Sequence, residues 1–240
     1  MFKVLKDKRM DSSLVIAAHQ PNFMPNLGFF YKMAQVDLFV IPTNLQFERQ
    51  EGWQRRNKFK NAGADFWMTV PLLGSQNQLI KDVKIKYERD WTRKHKISFR
   101  VNYGKTEEQE FLSKLEGIFD LHYERLVDLN FAIIKLIKEV LGIKTEVVLD
   151  EDVSGTKHEL IANICEKYGG KVYLSGSGAS YMTEDRVEFL ESKGIKHSFI
   201  EHNPVPAGIF SYSAVHYIFE EGGDATAMFF QRNIPLPIAK

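Results

Sequence analysis

The sequence predicts an α/β protein: a mostly parallel sheet flanked by helices, with a helix-rich insertion or second lobe in the middle of the chain. Three observations carry this reading. Near the start, the apolar run Leu14–Ala18 breaks into a polar, proline-containing loop, then a short amphipathic stretch, then a second apolar run, Val36–Ile41. Near the end, Thr145–Leu149, Lys157–Tyr168, Val172–Leu174, Met182–Lys193 and His197–Ile200 repeat the same alternation of apolar runs and helical periodicity. Strands that alternate with helices pair in parallel, because a crossover helix must carry the chain back to the same sheet edge. The alternation is Rossmann-like at both ends, and the segment between them is richer in helix and charge.

Each element has its own justification. Leu14–Ala18 is an uninterrupted apolar run, as a strand covered on both faces requires. Leu27–Gln35 has helical periodicity. Phe66–Leu72 and Val83–Ile85 read as further strands, and Trp91–Tyr103 and Glu107–Gly117 as helices. The helix Tyr123–Leu141 carries Leu126, Leu129, Ile133, Ile134, Leu136, Ile137 and Leu141 at three- and four-residue intervals, and Gly142 closes it. Lys157–Tyr168 ends at Gly169-Gly170, and Ala214–Glu220 is a last helical stretch. The expected organisation is therefore an α/β core from residues 10–72 and 143–225, a helix-rich insertion at 73–142, and a tail at 226–240. Residues 1–9 read as an extension, with Met10 a candidate initiator.

A chain of 240 residues can bury one sizeable core. Its 32 basic and 31 acidic residues give a net charge of +1, so no general attraction to nucleic acid or to a membrane surface is expected. The one cysteine, Cys165, cannot form an intrachain disulfide, and a reduced, cytoplasmic setting is the simplest expectation. No apolar run approaches the roughly 20 residues that span a bilayer, and no His/Asp/Glu spacing matches a dedicated metal site.

Three stretches carry candidate chemistry. His19-Gln20-Pro21, with Asn22 and Pro25, lies where the first strand hands over to its loop. Ligands of open α/β sheets sit beyond the carboxyl ends of the strands. A neutral imidazole there can bond a phosphate or exchange a proton, and His19 is the candidate catalytic group. The alternative is a structural histidine in a rigid turn. The tract from Gln46 to Lys60 contains Arg55, Arg56, Asn57 and Lys58 with Trp53 interleaved. Guanidinium groups suit phosphate or carboxylate and the indole can stack on a base or sugar face, whereas the competing reading is a solvated basic loop. Tyr173–Met182 runs from a strand into Ser175, Gly176, Ser177 and Gly178, then past Tyr181 toward a helix. Free amides and hydroxyls in such a turn can hold an anion, although a plain capped turn has the same composition. His202-Asn203-Pro204 offers a further polar rim group. His122 and His216 read as structural, and Trp91–His95 as a charged helix face.

The tract HQPNFMPNLGFFYKMAQVDLFV, Gln46-Phe47, Arg56-Asn57-Lys58 and Trp67–Pro71 resemble the WbqC-like protein family. Leu129-Asn130, Tyr173–Gly176 with Tyr181, and Ser211–Gly222 extend the resemblance to about Val15–Gly222. It implies a place in O-antigen or other surface-polysaccharide biosynthesis in bacteria. Where that family tends to carry an aromatic residue this chain has Asn26, and near a usual acidic position it has Asn44, which implies a shifted ligand preference. More distantly, the His loop resembles that of nucleotidyltransferases and pantothenate synthetases with a His-x-Gly-His loop. That likeness aligns His19 with the first histidine, puts Asn22 in place of the second, and lets residues 175–180 stand in for the later phosphate loop.

The expected function is thus a transferase-type enzyme that binds a nucleotide or sugar nucleotide and modifies a sugar or amino sugar. His19 would be catalytic, and Gln20, Asn22, Gln46, Arg55, Arg56, Asn57, Lys58, Ser175, Gly176, Ser177, Gly178 and Tyr181 would bind substrate. If ATP is the cofactor, its Mg²⁺ arrives with it. The alternative is a non-catalytic binding or scaffold protein of the same pathway.

Overall fold

The computed structural model describes residues 13–48, 52–61, 64–74, 77–176, 178–200 and 211–233. In chain order its strands are β1 Val15–Ala18, β2 Leu38–Pro42, β3 Arg56–Asn61, β4 Ala64–Thr69, β5 Leu72–Leu73, β6 Lys84–Ile85, β7 Glu146–Asp150, β8 Val172–Ser175 and β9 Lys196–Phe199. Its helices are α1 Leu27–Ala34, α2 Trp91–Tyr103, α3 Gln109–Asp120, α4 Leu126–Val140, α5 Lys157–Tyr168, α6 Glu184–Ser192, α7 Ala214–Glu221 and α8 Gly223–Asn233.

Five strands form one sheet in the order β7-β2-β1-β8-β9, and every pairing in it is parallel. The chain starts at the centre, steps outward through β2 to β7, then returns to β8 on the other side of β1 and continues to β9. The direction of winding therefore reverses between β1 and β8. Crossovers leaving these two neighbours go to opposite faces of the sheet, so a crevice opens above their carboxyl ends.

Side chains alternate across the sheet, and the core follows that alternation. Val15 and Ala17 of β1, with Phe39 and Ile41 of β2, face a cluster built from α1, α2, α3, α4 and α7. Ile16, Ala18, Leu38 and Val40 face a smaller cluster completed by Ile161, Ile164 and Cys165 of α5 and Leu190 of α6. The result is three layers. The helix-rich middle packs its aromatic residues into the first of these clusters: Phe99 lies among the rings of Phe59, Tyr103, Phe119 and Phe219. Segment 73–142 thus shares a core with the sheet.

Three elements differ from the sequence expectation, the first being Phe66–Leu72, which is divided between β4 and β5. The basic tract at 56–61 is a strand, paired antiparallel with β4. Its alternation was masked because one of its inward residues is polar: Asn57 and Phe59 are buried while Arg56 and Lys58 face outward. The tail expected from residue 226 begins instead within α8, whose Thr226 hydroxyl bonds the Gly222 carbonyl at 2.8 Å and is itself buried. Among the described residues, no helix is long and apolar enough to cross a membrane.

Candidate functional site

The loop after β1 is held by amide side chains from distant elements. His19 N–H donates to the Val40 carbonyl at 3.1 Å, which keeps the first loop residue against β2. The Asn130 amide of α4 is fully buried and donates to Pro21 O at 2.8 Å and Gln54 O at 2.7 Å. The Asn57 amide of β3 donates to Met24 O at 2.6 Å. Asn26 then caps α1, accepting from Phe29 N–H at 3.1 Å. A loop with its carbonyls fixed in this way is preorganised, so binding need not order it.

Two cavities open on either side of His19 and Gln20, which line both. The first, about 450 Å³, sits at the β1/β8 reversal and is also lined by Lys32, Lys157, Gly176, Gly178 and Tyr181. The second, about 400 Å³, is lined by Asn22, Asn26, Glu48, Trp53, Gln54 and Asn57. The sheet order explains the first: the crevice opens where the winding reverses.

Lys32 is the most informative residue of the first cavity. It lies on α1, is 7% exposed, and its ammonium donates to the Ala18 carbonyl at 2.8 Å. It sits near the face of Phe39, 5.8 Å from the ring centre, and forms no ion pair among the described residues. Burial lowers its pKa to about 8, so it stays charged at neutral pH. A buried ammonium without a carboxylate is costly, and an anionic ligand relieves that cost. Lys157 adds a second cation from the first turn of α5, with its backbone at φ +50°. An added Cβ at Gly176 or Gly178 would meet nothing within 4 Å, so the β8 turn leaves open space beside the lysines.

His19 is neutral. Burial first, and the Lys32 charge second, lower its pKa to about 3, against the Gln20 carbonyl, which raises it. Its Nδ1 lies 2.9 Å from Gln20 O, which assigns the proton to Nδ1 and leaves the Nε2 lone pair as an acceptor. The ring is braced edge-on by Phe29 at 5.0 Å.

The structure therefore brings His19, Gln20, Gly176, Gly178 and Tyr181 around one cavity, and Asn22 and Asn57 around its neighbour. Other expected site residues lie elsewhere. Lys58 pairs with Asp65 at 3.1 Å and lies over Tyr212, and Arg56 lies over Trp67 at 4.8 Å; both are on the outer face of the β3–β4 hairpin. Arg55 and exposed Gln46 line neither cavity, and the Gln46 amide bonds Gln78 O at 3.1 Å. The Ser175 hydroxyl is buried and lies 2.8 Å from His197 Nε2, joining β8 to β9. Ser177, Arg49 and His202-Asn203-Pro204 fall outside the described residues. His95, expected on a charged face, is instead buried among Trp91 and Phe119. Sequence reasoning missed Lys32, Glu48 and Gln54. A lysine inside the apolar helix Leu27–Ala34 was the available signal. Among the described residues, no group of three or more His, Cys, Asp or Glu could hold a metal ion.

Fold and cavities together define an α/β protein with a Rossmann-like parallel sheet and a divided polar crevice at its winding reversal. The sequence profile of the WbqC-like protein family matches residues 20–222, and the chain belongs to that family. It is 29% identical over 178 residues to the uncharacterized protein Rv1507c of Mycobacterium tuberculosis (strain ATCC 25618 / H37Rv), an alignment covering 72% of this chain and 76% of that protein. No solved structure matches the chain.

Proposed function

We propose that this protein is a transferase-type enzyme of bacterial surface-polysaccharide or related glycan biosynthesis that binds a nucleotide or sugar nucleotide at the β1/β8 crevice. The observation that carries the proposal is buried Lys32, a charged group without a carboxylate partner among the described residues, lining a cavity that also takes in Lys157 and, among those residues, no acidic one. That electrostatic deficit suits a phosphate, and the open turn at Gly176 and Gly178 lets backbone approach it. The biosynthetic setting is what the family implies.

His19 supplies the chemistry. Its free Nε2 accepts the proton of an attacking hydroxyl or amine. The imidazole is a weak base, held down first by burial and then by the Lys32 charge. A phosphate bound to Lys32 cancels that charge and raises the basicity of His19, so proton transfer is favoured in the loaded enzyme.

The test is calorimetry with ATP–Mg²⁺, UDP, dTDP and GDP. Lys32→Met should weaken the best of them about 10- to 100-fold, the scale of a lost charge-assisted hydrogen bond. Wild-type affinity should fall as pH rises through about 8, where Lys32 loses its proton, and the variant should lack that dependence. Unchanged affinity in a folded Lys32→Met protein would overturn the reading.

A further inference from the structure

We infer that the second cavity is a carbohydrate subsite, taking a polyhydroxylated pyranose ring beside the phosphate. The inference deepens the function proposed above and rests on it for the neighbouring phosphate.

The charge difference between the two cavities comes first. Among the described residues, the phosphate-side cavity is lined by two lysines and no carboxylate. Among the same residues its neighbour is lined by one carboxylate, Glu48, and no lysine or arginine. An anion is favoured in the first and repelled from the second. What remains in the second is a lining of neutral amides, Gln20, Asn22, Asn26, Gln54 and Asn57; Asn57 is spent on Met24 O and on Lys58 N–H, which leaves Gln20, Asn22 and the Asn26 amide N–H to meet a ligand. Amides and a carboxylate are the groups that match sugar hydroxyls, which both donate and accept.

An aromatic face completes the site. Trp53 lines the cavity and is exposed, and its ring lies 5.7 Å from that of Trp67. Arg56 covers the Trp67 ring. The paired indoles form a braced platform at the mouth, and the apolar C–H face of a pyranose packs on such a ring while its hydroxyls reach the amides. His19 and Gln20, shared by both cavities, place the imidazole between sugar and phosphate.

Saturation-transfer NMR and calorimetry test this with UDP, dTDP and GDP, their glucose conjugates, and free glucose, galactose and N-acetylglucosamine. Two variants, Trp53→Ala and Asn22→Ala, guard against misfolding of either. If the ring belongs to the nucleotide, a conjugate binds more tightly than its parent in wild type. Either variant then weakens the conjugate roughly five- to ten-fold and leaves the parent unchanged. If the ring belongs to a free acceptor, a free sugar gives a signal that Trp53→Ala removes and Lys32→Met retains. Either result supports the subsite. It is overturned if neither conjugates nor free sugars bind in a manner that depends on Trp53 or Asn22. Parent nucleotides indifferent to Lys32→Met would overturn the phosphate reading alone, since the free-sugar arm reads the subsite independently.

Discussion

The crevice at the carboxyl ends of the strands and the aromatic core of the middle helices each enclose a histidine, and they use it in opposite ways. His95 is packed edge-on by Trp91 at 5.1 Å and Phe119 at 5.9 Å, and burial lowers its pKa to about 4. His19 is lowered further, to about 3, yet lines both cavities with an unpaired Nε2. A depressed imidazole pKa is thus common to a packing residue and to one that lines a cavity. What separates them is access to open space and a cation beside the ring. The two regions touch through Phe23, which comes from the site loop and lies 6.2 Å from His95.

The largest expected effect lies in the aromatic core. Phe99→Ala should cost about 3–5 kcal/mol, the range for emptying a buried aromatic position. Denaturant unfolding measures it, and nucleotide affinity of the protein that remains folded should be unchanged. A loss of affinity at temperatures where the variant is folded would show that the two regions are coupled.

An intermediate effect sharpens the histidine comparison. Both folded-state pKa values lie below the ordinary 6.5, so between pH 6.5 and about 3–4 the unfolded chain binds protons that the native protein refuses. Stability must therefore fall as pH falls through that window, each histidine contributing a slope of up to about 1.4 kcal/mol per pH unit. His19→Gln and His95→Gln should each flatten the acid limb by about one proton, read from unfolding at successive pH values. Ligand turnover should collapse in His19→Gln alone. Equal catalytic losses in both would erase the distinction drawn here.

The smallest effect concerns Ser175. Its hydroxyl is committed to His197, so Ser175→Ala should cost roughly 0.5–1.5 kcal/mol of stability. Calorimetry should find nucleotide affinity within about two-fold of wild type, since the charge-assisted contacts remain. A larger loss of affinity would return the hydroxyl to the anion site.

Much of the fold was legible because its signals are local. The apolar runs that became β1, β2, β7, β8 and β9 are each flanked by turn residues or helical periodicity, and their bounds in the structure shift by one or two residues. The strand at 56–61 was not legible, since its inward face mixes Asn57 with Phe59 and its outward face is basic. The site divides along the same line. His19 and Gly176 could be read because each follows a strand, and parallel sheets place such residues together. Lys32 could not be placed, because its importance depends on Ala18, Phe39 and the far turn at Gly176, contacts that no spacing along the chain encodes. Arg56 and Lys58 looked like phosphate ligands for their charge, while hairpin pairing turned them toward Trp67 and Asp65.

The single amide of Asn130 has a consequence for how this architecture can change. It belongs to α4, in the middle of the helix-rich segment, and it holds the backbone of Pro21 and of Gln54 together. Gln54 lines the second cavity, and Pro21 sits between Gln20 and Asn22, which line it too. The helical segment is therefore not a module that recombination could exchange or discard while the sheet kept its chemistry. A chimera that keeps the sheet and both loops but replaces α4 would keep the residues that line the cavities and lose the amide that ties Pro21 to Gln54.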